Sequence, residues 1–297
     1  MGMASAFRDN VTMKSGARVG IDKKGVVTVA TDMTDIGTGS YTIIGQTVAE
    51  MMGVPMDEVI VLLGDSSFPA SSGSGGQWGG NSSTAGVYAA CMALRDSVAR
   101  KLGFNSTDVV FEDGKVKSGN RSVSLAEAAG DAGISAEDSI EFGDLTKTYA
   151  QATFGAHFVE VGVDAATGEI RVRRMSGAFA AGRILNPKSA RSQVIGAMTM
   201  GVGAALMEDA IVDTRFGYFV NHDLAEYHVP AHADIPMQDV FFMDELDEKS
   251  SPMKAKGIGE LGLCGVGAAI ANAVYNACGV RIREYPLTLD KVIGKMA

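Results

Sequence analysis

The sequence predicts an α+β fold built from two similar layered subdomains, each a mixed sheet with helices packed on one face. Two observations support this fold class. Short apolar segments with a period of two alternate with segments of helical period along the 297 residues, which is typical of sheets covered by helices. The same order of elements also occurs twice: a hairpin, a loop, a helix, a strand, a glycine-rich loop and a second helix. We therefore expect two halves with one plan.

The first half, residues 1–148, contains this order of elements once. Asp22-Lys23-Lys24-Gly25 separates two alternating segments and predicts a hairpin turn. A polar loop over 34–40 and a glycine-rich loop over 71–83 each precede a helical segment. The predicted elements are two strands, a helix, a strand and a helix, over residues 17–21, 26–31, 41–52, 59–63 and 84–100.

The second half, residues 149–297, follows the polar stretch 131–147 and contains the order again. Ala165-Ala166-Thr167-Gly168 predicts its hairpin turn, and loops over 181–189 and 256–265 precede its helices. The predicted elements are two strands, a helix, a strand and a helix, over residues 157–164, 169–175, 190–207, 240–243 and 266–277. The alternative is that the two halves share only the element order common to many α/β proteins.

The composition excludes several classes of protein. A net charge of −9 disfavours nucleic acid as a partner, because no excess of Lys and Arg is available to displace counterions from phosphates. No apolar run is long enough for a membrane span. Cys91, Cys264 and Cys278 lack CxxC spacing, so they predict buried free thiols and neither an iron–sulfur nor a zinc site. Because residues near the N-terminus already read as part of a strand, we expect this chain to be a domain cut from a longer polypeptide.

Clustered glycines are the most informative feature of the composition, with 37 glycines against 7 prolines. A helix start exposes unpaired N–H groups and a partial positive charge that suit phosphate or carboxylate, and glycine lets such a ligand approach the backbone. Four loops lie before predicted helices, over residues 35–40, 73–82, 183–189 and 256–260. Together they predict one site that binds a phosphate-bearing cofactor.

The third of these loops also concentrates positive charge. Arg183, Lys188 and Arg191 lie close together in an acidic chain, and guanidinium groups beside free N–H groups match a pyrophosphate. Asn186-Pro187 predicts a turn, and Ser189 predicts a helix cap. The alternative is an ordinary exposed loop before a capped helix.

Glu260 is the predicted catalytic residue. A carboxylate in this glycine loop would repel a phosphate, so the loop is expected to meet a different part of the ligand. The apolar neighbours Ile258, Leu261 and Leu263 are expected to desolvate the carboxyl and to raise its pKa towards the useful range for a general base. The alternative, which the residues leave open, is that Glu260 caps the following helix.

Three motifs resemble the molybdopterin-binding domain of the xanthine dehydrogenase and aldehyde oxidase family. They are Asp35-Ile36-Gly37-Thr38-Gly39, Ser189-Ala190-Arg191-Ser192-Gln193-Val194-Ile195-Gly196-Ala197 and Lys256-Gly257-Ile258-Gly259-Glu260. The resemblance covers nearly the whole chain, and it is strongest to the molybdenum-binding subunits of bacterial periplasmic aldehyde oxidoreductases. In the first motif this chain has Thr38 where many members of the family have Gln.

The resemblance implies a role for each matching residue. Glu260 matches the glutamate that takes a proton from a hydroxyl group on molybdenum, and Gln193 matches a glutamine near the oxo group of the metal. The remaining matches line the cofactor: Ile36, Gly37, Thr38, Gly79, Gly80, Arg183, Ile184, Leu185, Asn186, Pro187, Lys188, Ser189, Lys256, Gly257, Ile258 and Gly259. The dithiolene of the cofactor holds the metal, so no protein ligand to it is expected.

The resemblance also implies the wider setting of the chain. The cofactor is expected to be molybdopterin cytosine dinucleotide, with iron–sulfur clusters and FAD on two partner subunits. The expected reaction oxidises a small aldehyde to a carboxylic acid with water as the oxygen donor. The alternatives are a xanthine or other heterocycle hydroxylase and a cofactor-binding module without catalysis.

Two further expectations concern the chain by itself. The family's substrate-facing arginine and aromatic residues are expected in the missing N-terminal part, so this chain alone is expected to bind no molybdenum and to be inactive. A periplasmic location is expected if the protein is exported with a partner subunit, and a cytoplasmic one otherwise.

Overall fold

Two four-stranded sheets, each with helices packed against it, form the framework of the computed structural model, which describes residues 1–296 apart from the side chain of residue 146. The strands are β1 (Gly2–Asp9), β2 (Ser15–Ile21), β3 (Val27–Thr31), β4 (Val59–Leu63), β5 (Val110–Glu112), β6 (Lys115–Ser118), β7 (Arg121–Ser124), β8 (Ile134–Ile140), β9 (Ala152–Val163), β10 (Ile170–Ala180), β11 (Val212–Asp213), β12 (Tyr218–Phe219) and β13 (Gln238–Phe242). The helices are α1 (Ser40–Met52), α2 (Gly79–Leu102), α3 (Leu125–Ala129), α4 (Leu145–Thr148), α5 (Pro187–Leu206), α6 (Val266–Cys278) and α7 (Leu289–Ile293).

The first sheet has the strand order β4-β3-β2-β8. β2 pairs antiparallel with both β3 and β8, while β3 and β4 are parallel because α1 connects them. α2 packs on β2 and β8, and Gly86 makes this approach possible, since a Cβ there would lie 2.6 Å from the Ser15 carbonyl oxygen. The predicted hairpin, helices and strand of this half are confirmed.

The second sheet repeats the first strand for strand, in the order β13-β10-β9-β1. β9 pairs antiparallel with β10 and β1, and β10 is parallel to β13 across α5. α6 packs on β1 and β9 as α2 does on β2 and β8. The fold class and the repeated plan are therefore confirmed. The two sheets also share a feature that the local sequence patterns did not predict, because each has a fourth strand.

β1 comes from the start of the chain and yet completes the second sheet. Its register against β9 runs from Gly2 opposite Val159 to Asp9 opposite Ala152. Gly2 lies tightly against α6, because a Cβ there would be 2.2 Å from the Ala273 nitrogen. Residues 2–9 therefore lie in the sheet of the second half, and the division at 148 and 149 remains a prediction about domains.

Two helices begin earlier than predicted, and both starts bear on the site. α2 begins at Gly79 where residue 84 was predicted, so Gly79 and Gly80 form its first turn and do not belong to the loop. α5 begins at Pro187 where residue 190 was predicted, because Asn186 caps the helix and proline is well suited to its first position.

Each sheet has its own apolar core. Val19, Val29 and Leu94 are fully buried in the first, and Phe179 and Ile270 in the second. Each core lies between a sheet and its helices. Polar loops therefore occupy the region where the two halves meet, which we call the seam. Among residues 1–296, no helix combines the length and apolarity needed to cross a membrane.

Candidate cofactor site and catalytic carboxylate

A cavity of about 240 Å³ lies at the seam, and all four predicted loops contribute to its wall. The predicted residues that line it are Ile36, Thr38, Gly79, Gly80, Arg183, Ile184, Leu185, Asn186, Ser189, Gln193, Lys256, Gly257, Ile258, Gly259 and Glu260. Gly37, Pro187 and Lys188, which were predicted with them, are not part of this wall. The convergence of the four loops agrees with the prediction, whereas the role of each residue stays a prediction.

The start of α2 offers the clearest set of free hydrogen-bonding groups. Within residues 1–296, the backbone N–H groups of Gly79, Gly80 and Asn81 have no acceptor, and the N-cap residue Trp78 makes no side-chain cap. Asn81 is 3% exposed, lines the cavity, and has no partner for either atom of its amide. A buried amide without partners costs about 1–3 kcal/mol, so this end of the cavity fits a polar, anionic ligand such as a pterin cofactor.

The loop before α1 is built differently, because its own carboxylate occupies the helix start. Asp35 accepts hydrogen bonds from Gly37 N at 2.8 Å and Tyr41 N at 3.1 Å. Burial raises the pKa of Asp35, but these backbone hydrogen bonds outweigh burial and the net pKa is lowered. The prediction that these N–H groups await an external phosphate is therefore wrong; Ile36 and Thr38 still face the cavity.

The loop before α5 is also partly satisfied from within the protein. Asn186 caps α5 by accepting from Lys188 N and Ser189 N, both at 3.0 Å, so the predicted cap by Ser189 is wrong. The Arg183 guanidinium lies 2.6 Å from a carboxylate oxygen of Glu50 on α1. Part of the positive charge predicted to bind pyrophosphate thus joins the two halves.

Lys256 of the fourth loop is also paired within the protein. Its side chain is 2% exposed, and its ammonium lies 2.9 Å from Glu245 and 3.4 Å from Asp247. It therefore has carboxylate partners within the protein. This loop also does not open directly onto a helix, since turns separate it from α6, which begins at Val266.

Glu260 lines the cavity, but its surroundings differ from those predicted. Its carboxylate forms an ion pair with Arg8 of β1, and its side chain is 44% exposed. The expected apolar, desolvated surroundings are therefore wrong. The alternative of a helix cap is wrong as well, because the N-cap of α6 is Gly265. What the structure retains is a carboxylate at the point where the loops of both halves meet.

Three residues at the site were missed by the sequence reasoning. Arg8 lies on β1 beside Asp9, and nothing local in the sequence marks it as part of the site. Gln77 and Asn81 flank the predicted Gly79-Gly80 pair and line the cavity, so the polar residues of that loop were the available signal.

The other candidate metal-binding side chains of residues 1–296 form no cluster of three His, Cys, Asp or Glu that could hold a metal ion. The three cysteines are free, with Cys91 buried and the other two partly buried, and burial raises the pKa of Cys91 to about 12. His157 is fully buried against the Phe179 ring, with centroids 5.2 Å apart.

The fold and the cavity define a cofactor-binding domain, in which Glu260 lines the cavity beside loops that present backbone and amide donors. Comparison with known families gives the same answer. The chain belongs to the molybdopterin cofactor-binding domain family, which matches residues 1–236.

Among curated relatives, the chain is similar to the aldehyde oxidoreductase molybdenum-binding subunit PaoC of Escherichia coli, with 66% identity over 295 residues that make up 99% of this chain and 40% of the relative. It is also similar to a putative xanthine dehydrogenase molybdenum-binding subunit, XdhA, of Escherichia coli, with 32% identity over 92% of this chain and 38% of the relative. The chain therefore spans about two fifths of the length of these relatives.

Solved structures share the fold. Quinoline 2-oxidoreductase from Pseudomonas putida superposes with a TM-score of 0.85 and 23% identity over 100% of this chain and 42% of that one. The aldehyde oxidoreductase from Desulfovibrio desulfuricans gives a TM-score of 0.80 and 23% identity over 100% of this chain and 32% of that one.

Proposed function

We propose that this chain forms the catalytic half of the cofactor site in the molybdenum-binding subunit of an aldehyde oxidoreductase, with Glu260 as the general base. The main support for this proposal is the position of Glu260, which lines a cavity that all four loops share. The 66% identity to an aldehyde oxidoreductase subunit over 99% of the chain supports the aldehyde class of substrate.

The residues of the cavity suggest how the cofactor would be held. The free N–H groups of Gly79 and Gly80 and the unpartnered amide of Asn81 offer donors at the start of α2, which suit phosphate oxygens or the polar edge of a pterin. Ile258 N and Gly259 N have no acceptor among residues 1–296. They supply two more donors from the turn over residues 257–260, which carries Glu260 and which we call the catalytic turn. The cytosine dinucleotide form remains part of the proposal.

The bound molybdenum cofactor would supply two-electron redox chemistry, and the chain would supply proton transfer and positioning. The Glu260 carboxylate would accept a proton from the oxygen donor that attacks the substrate carbonyl. Its ion pair with Arg8 holds it in one place at the cavity wall. Gln193, whose amide oxygen lies 4.0 Å from where a Cβ on Gly259 would be, would orient polar groups of the cofactor.

Electron transfer would require further subunits in this proposal. Among residues 1–296 there is no cysteine cluster for an iron–sulfur centre. We therefore propose an iron–sulfur subunit and an FAD subunit as partners, as the family resemblance implies.

Heterocycle hydroxylation is the second candidate reaction. The identity of 32% to a putative xanthine dehydrogenase subunit favours it over unrelated chemistry. A turnover screen of the full-length protein in its complex against aromatic aldehydes and purines separates the two. Turnover of purines without aldehydes would overturn the aldehyde assignment.

The test of Glu260 uses Glu260→Gln in the complete enzyme, which removes the base and keeps the shape. We expect kcat to fall by a factor of about 10²–10⁴, while molybdenum content stays at the wild-type level. Glu137→Gln is a matched control, because Glu137 pairs with Arg18 at 2.9 Å and is similarly exposed but lies on β8, outside the cavity wall. Wild-type turnover in Glu260→Gln would refute the base assignment, and loss of molybdenum in that variant would point to a binding role without catalysis.

A further inference from the structure

We propose that Gln77 is a positioning residue that fixes Glu260 and Arg8 relative to each other from the opposite half of the protein. The expected effect of Gln77 on catalysis rests on the proposed function. The structural part of the proposal, that Gln77 positions Glu260 and Arg8, rests on the contacts of the Gln77 side chain. Gln77 is 9% exposed and directly precedes Trp78, the N-cap residue of α2.

The acceptor side of the Gln77 amide holds the catalytic turn. Gln77 Oε1 accepts a hydrogen bond from the backbone N–H of Glu260 at 3.3 Å. The same turn lies against the Gln77 backbone at Gly257, where a Cβ would be 2.0 Å from the Gln77 carbonyl oxygen. One residue of the first half therefore determines how close the backbone of Glu260 comes to the cavity.

The donor side of the amide holds the strand that carries Arg8. Gln77 Nε2 donates to the carbonyl oxygen of Asp9 and to Thr153 Oγ1, both at 3.1 Å. The Thr153 hydroxyl in turn donates to the carbonyl oxygen of Arg8 at 3.1 Å. The backbones on both sides of the Arg8–Glu260 ion pair are thus tied to one amide group, whose two N–H donors and one of whose two acceptor lone pairs are used.

The backbone of Gln77 adds a second reason to assign it a role. Its φ is +60°, in the left-handed region where a residue other than glycine costs about 1 kcal/mol or more. The chain carries glutamine here although glycine is abundant in the same loop. Such strain is retained where the side chain is needed, and here the side chain is the connection between three segments.

A merely structural amide and a positioning amide predict different results. Loss of a structural amide lowers stability and leaves the turnover of the folded enzyme unchanged. Loss of a positioning amide lowers kcat in folded, fully loaded enzyme, because displacement of a catalytic group by about 1 Å can cost about 100-fold in rate.

The experiment compares Gln77→Ala and Gln77→Glu in the full-length protein within its complex. Gln238→Ala is the matched control, since Gln238 is also a buried glutamine, 6% exposed, whose amide donates to Thr199 Oγ1 at 3.3 Å outside the cavity wall. The measurements are molybdenum content, kcat and KM, and hydrogen–deuterium exchange of peptides that contain the Glu260 amide.

We expect Gln77→Ala to retain molybdenum, to lower kcat about 10- to 100-fold with a smaller change in KM, and to accelerate exchange at the Glu260 amide. In Gln77→Glu, the ratio of kcat to that of the wild type should rise as the pH is lowered, because a protonated carboxyl regains a hydrogen-bond donor beside an acceptor. Gln238→Ala should show neither the loss of kcat nor the faster exchange at Glu260.

The outcomes separate this inference from the proposed function. Unchanged exchange at the Glu260 amide, or unchanged kcat with intact molybdenum, overturns the positioning role. If the wild-type complex turns over no aldehyde or heterocycle but Gln77→Ala still accelerates exchange at Glu260 and Gln238→Ala does not, the structural part stands and the proposed function fails.

Discussion

The contact between Gly257 and Gln77 gives the sharpest prediction about the seam. A Cβ on residue 257 would lie 2.0 Å from the Gln77 carbonyl oxygen, whereas ordinary contacts begin at 3.4 Å. The Gly257→Ala substitution must therefore move the turn away from Gln77 by about 1.4 Å or distort both backbones. Neither side can yield through a flexible side-chain end, because the atom that is met belongs to the backbone.

The size of the effect follows from two terms. Overpacking against a rigid neighbour costs about 1–3 kcal/mol, and displacement weakens the hydrogen bond from Gly257 N to Asn10 Oδ1, now 3.0 Å, worth about 1 kcal/mol. At about 2–4 °C for each kcal/mol, the unfolding midpoint should fall by about 4–16 °C. Because Glu260 moves with the turn, kcat should fall by about 100-fold as well.

The assay is thermal unfolding, molybdenum content and kcat of the full-length protein in its complex. Gly196→Ala is the control, because no atom lies within 4 Å of a Cβ at that position of α5 and replacement of glycine by alanine in an exposed helix stabilises by about 0.5–1 kcal/mol. If Gly257→Ala unfolds at the temperature of Gly196→Ala and turns over at the wild-type rate, the inferred contact is wrong.

Three further predictions test the cavity and the core. Asn81→Leu should raise the stability of the cofactor-free protein by about 1 kcal/mol, because an unpartnered buried amide is removed, and should lower molybdenum content; higher content would exclude a ligand role for Asn81. Burial lowers the pKa of His157 from 6.5 to about 4, so the unfolded chain takes up its proton first as pH falls. The free energy of unfolding should then decrease between about pH 6.5 and 4 by about 3 kcal/mol more in the wild type than in His157→Gln. Denaturant titrations at several pH values measure this, and the same pH dependence of the unfolding free energy in both proteins would refute it. The chain purified alone should contain no stoichiometric molybdenum and show no turnover, which metal analysis checks directly.

The sequence was sufficient for the parts of the fold that local patterns encode. Both hairpins, the helices after them and the four loops follow from period-two and helical spacing and from glycine placement. The position of β1 could not be predicted, because its partner β9 lies about 150 residues further along the chain and pairing at that distance leaves no local mark. The same limit applies to Arg8, which reaches Glu260 only because β1 crosses into the second sheet.

The exposure of Glu260 was mispredicted for a different reason. Its apolar neighbours in sequence suggested dry surroundings, but on an irregular turn neighbouring side chains point in different directions. Leu261 is fully buried in the second core, while Leu263 is 38% exposed. The apolar residues beside Glu260 therefore indicate how its turn is anchored and say little about the solvent around its carboxylate.

The anchoring of the turn over residues 257–260 explains why the site lies between the two halves. The N–H groups at its two ends, Gly257 and Glu260, are bound by the side-chain amides of Asn10 and Gln77, which both come from the first 77 residues. The two N–H groups between them, of Ile258 and Gly259, have no acceptor within residues 1–296 and line the cavity. The ends of the turn are thus fixed by the other half, while the donors in its middle stay free. A ligand then meets donors whose positions are already fixed, so the turn can bind a cofactor without being deformed. A second half that folded alone would lose β1 from its sheet and the amides that hold both ends of this turn.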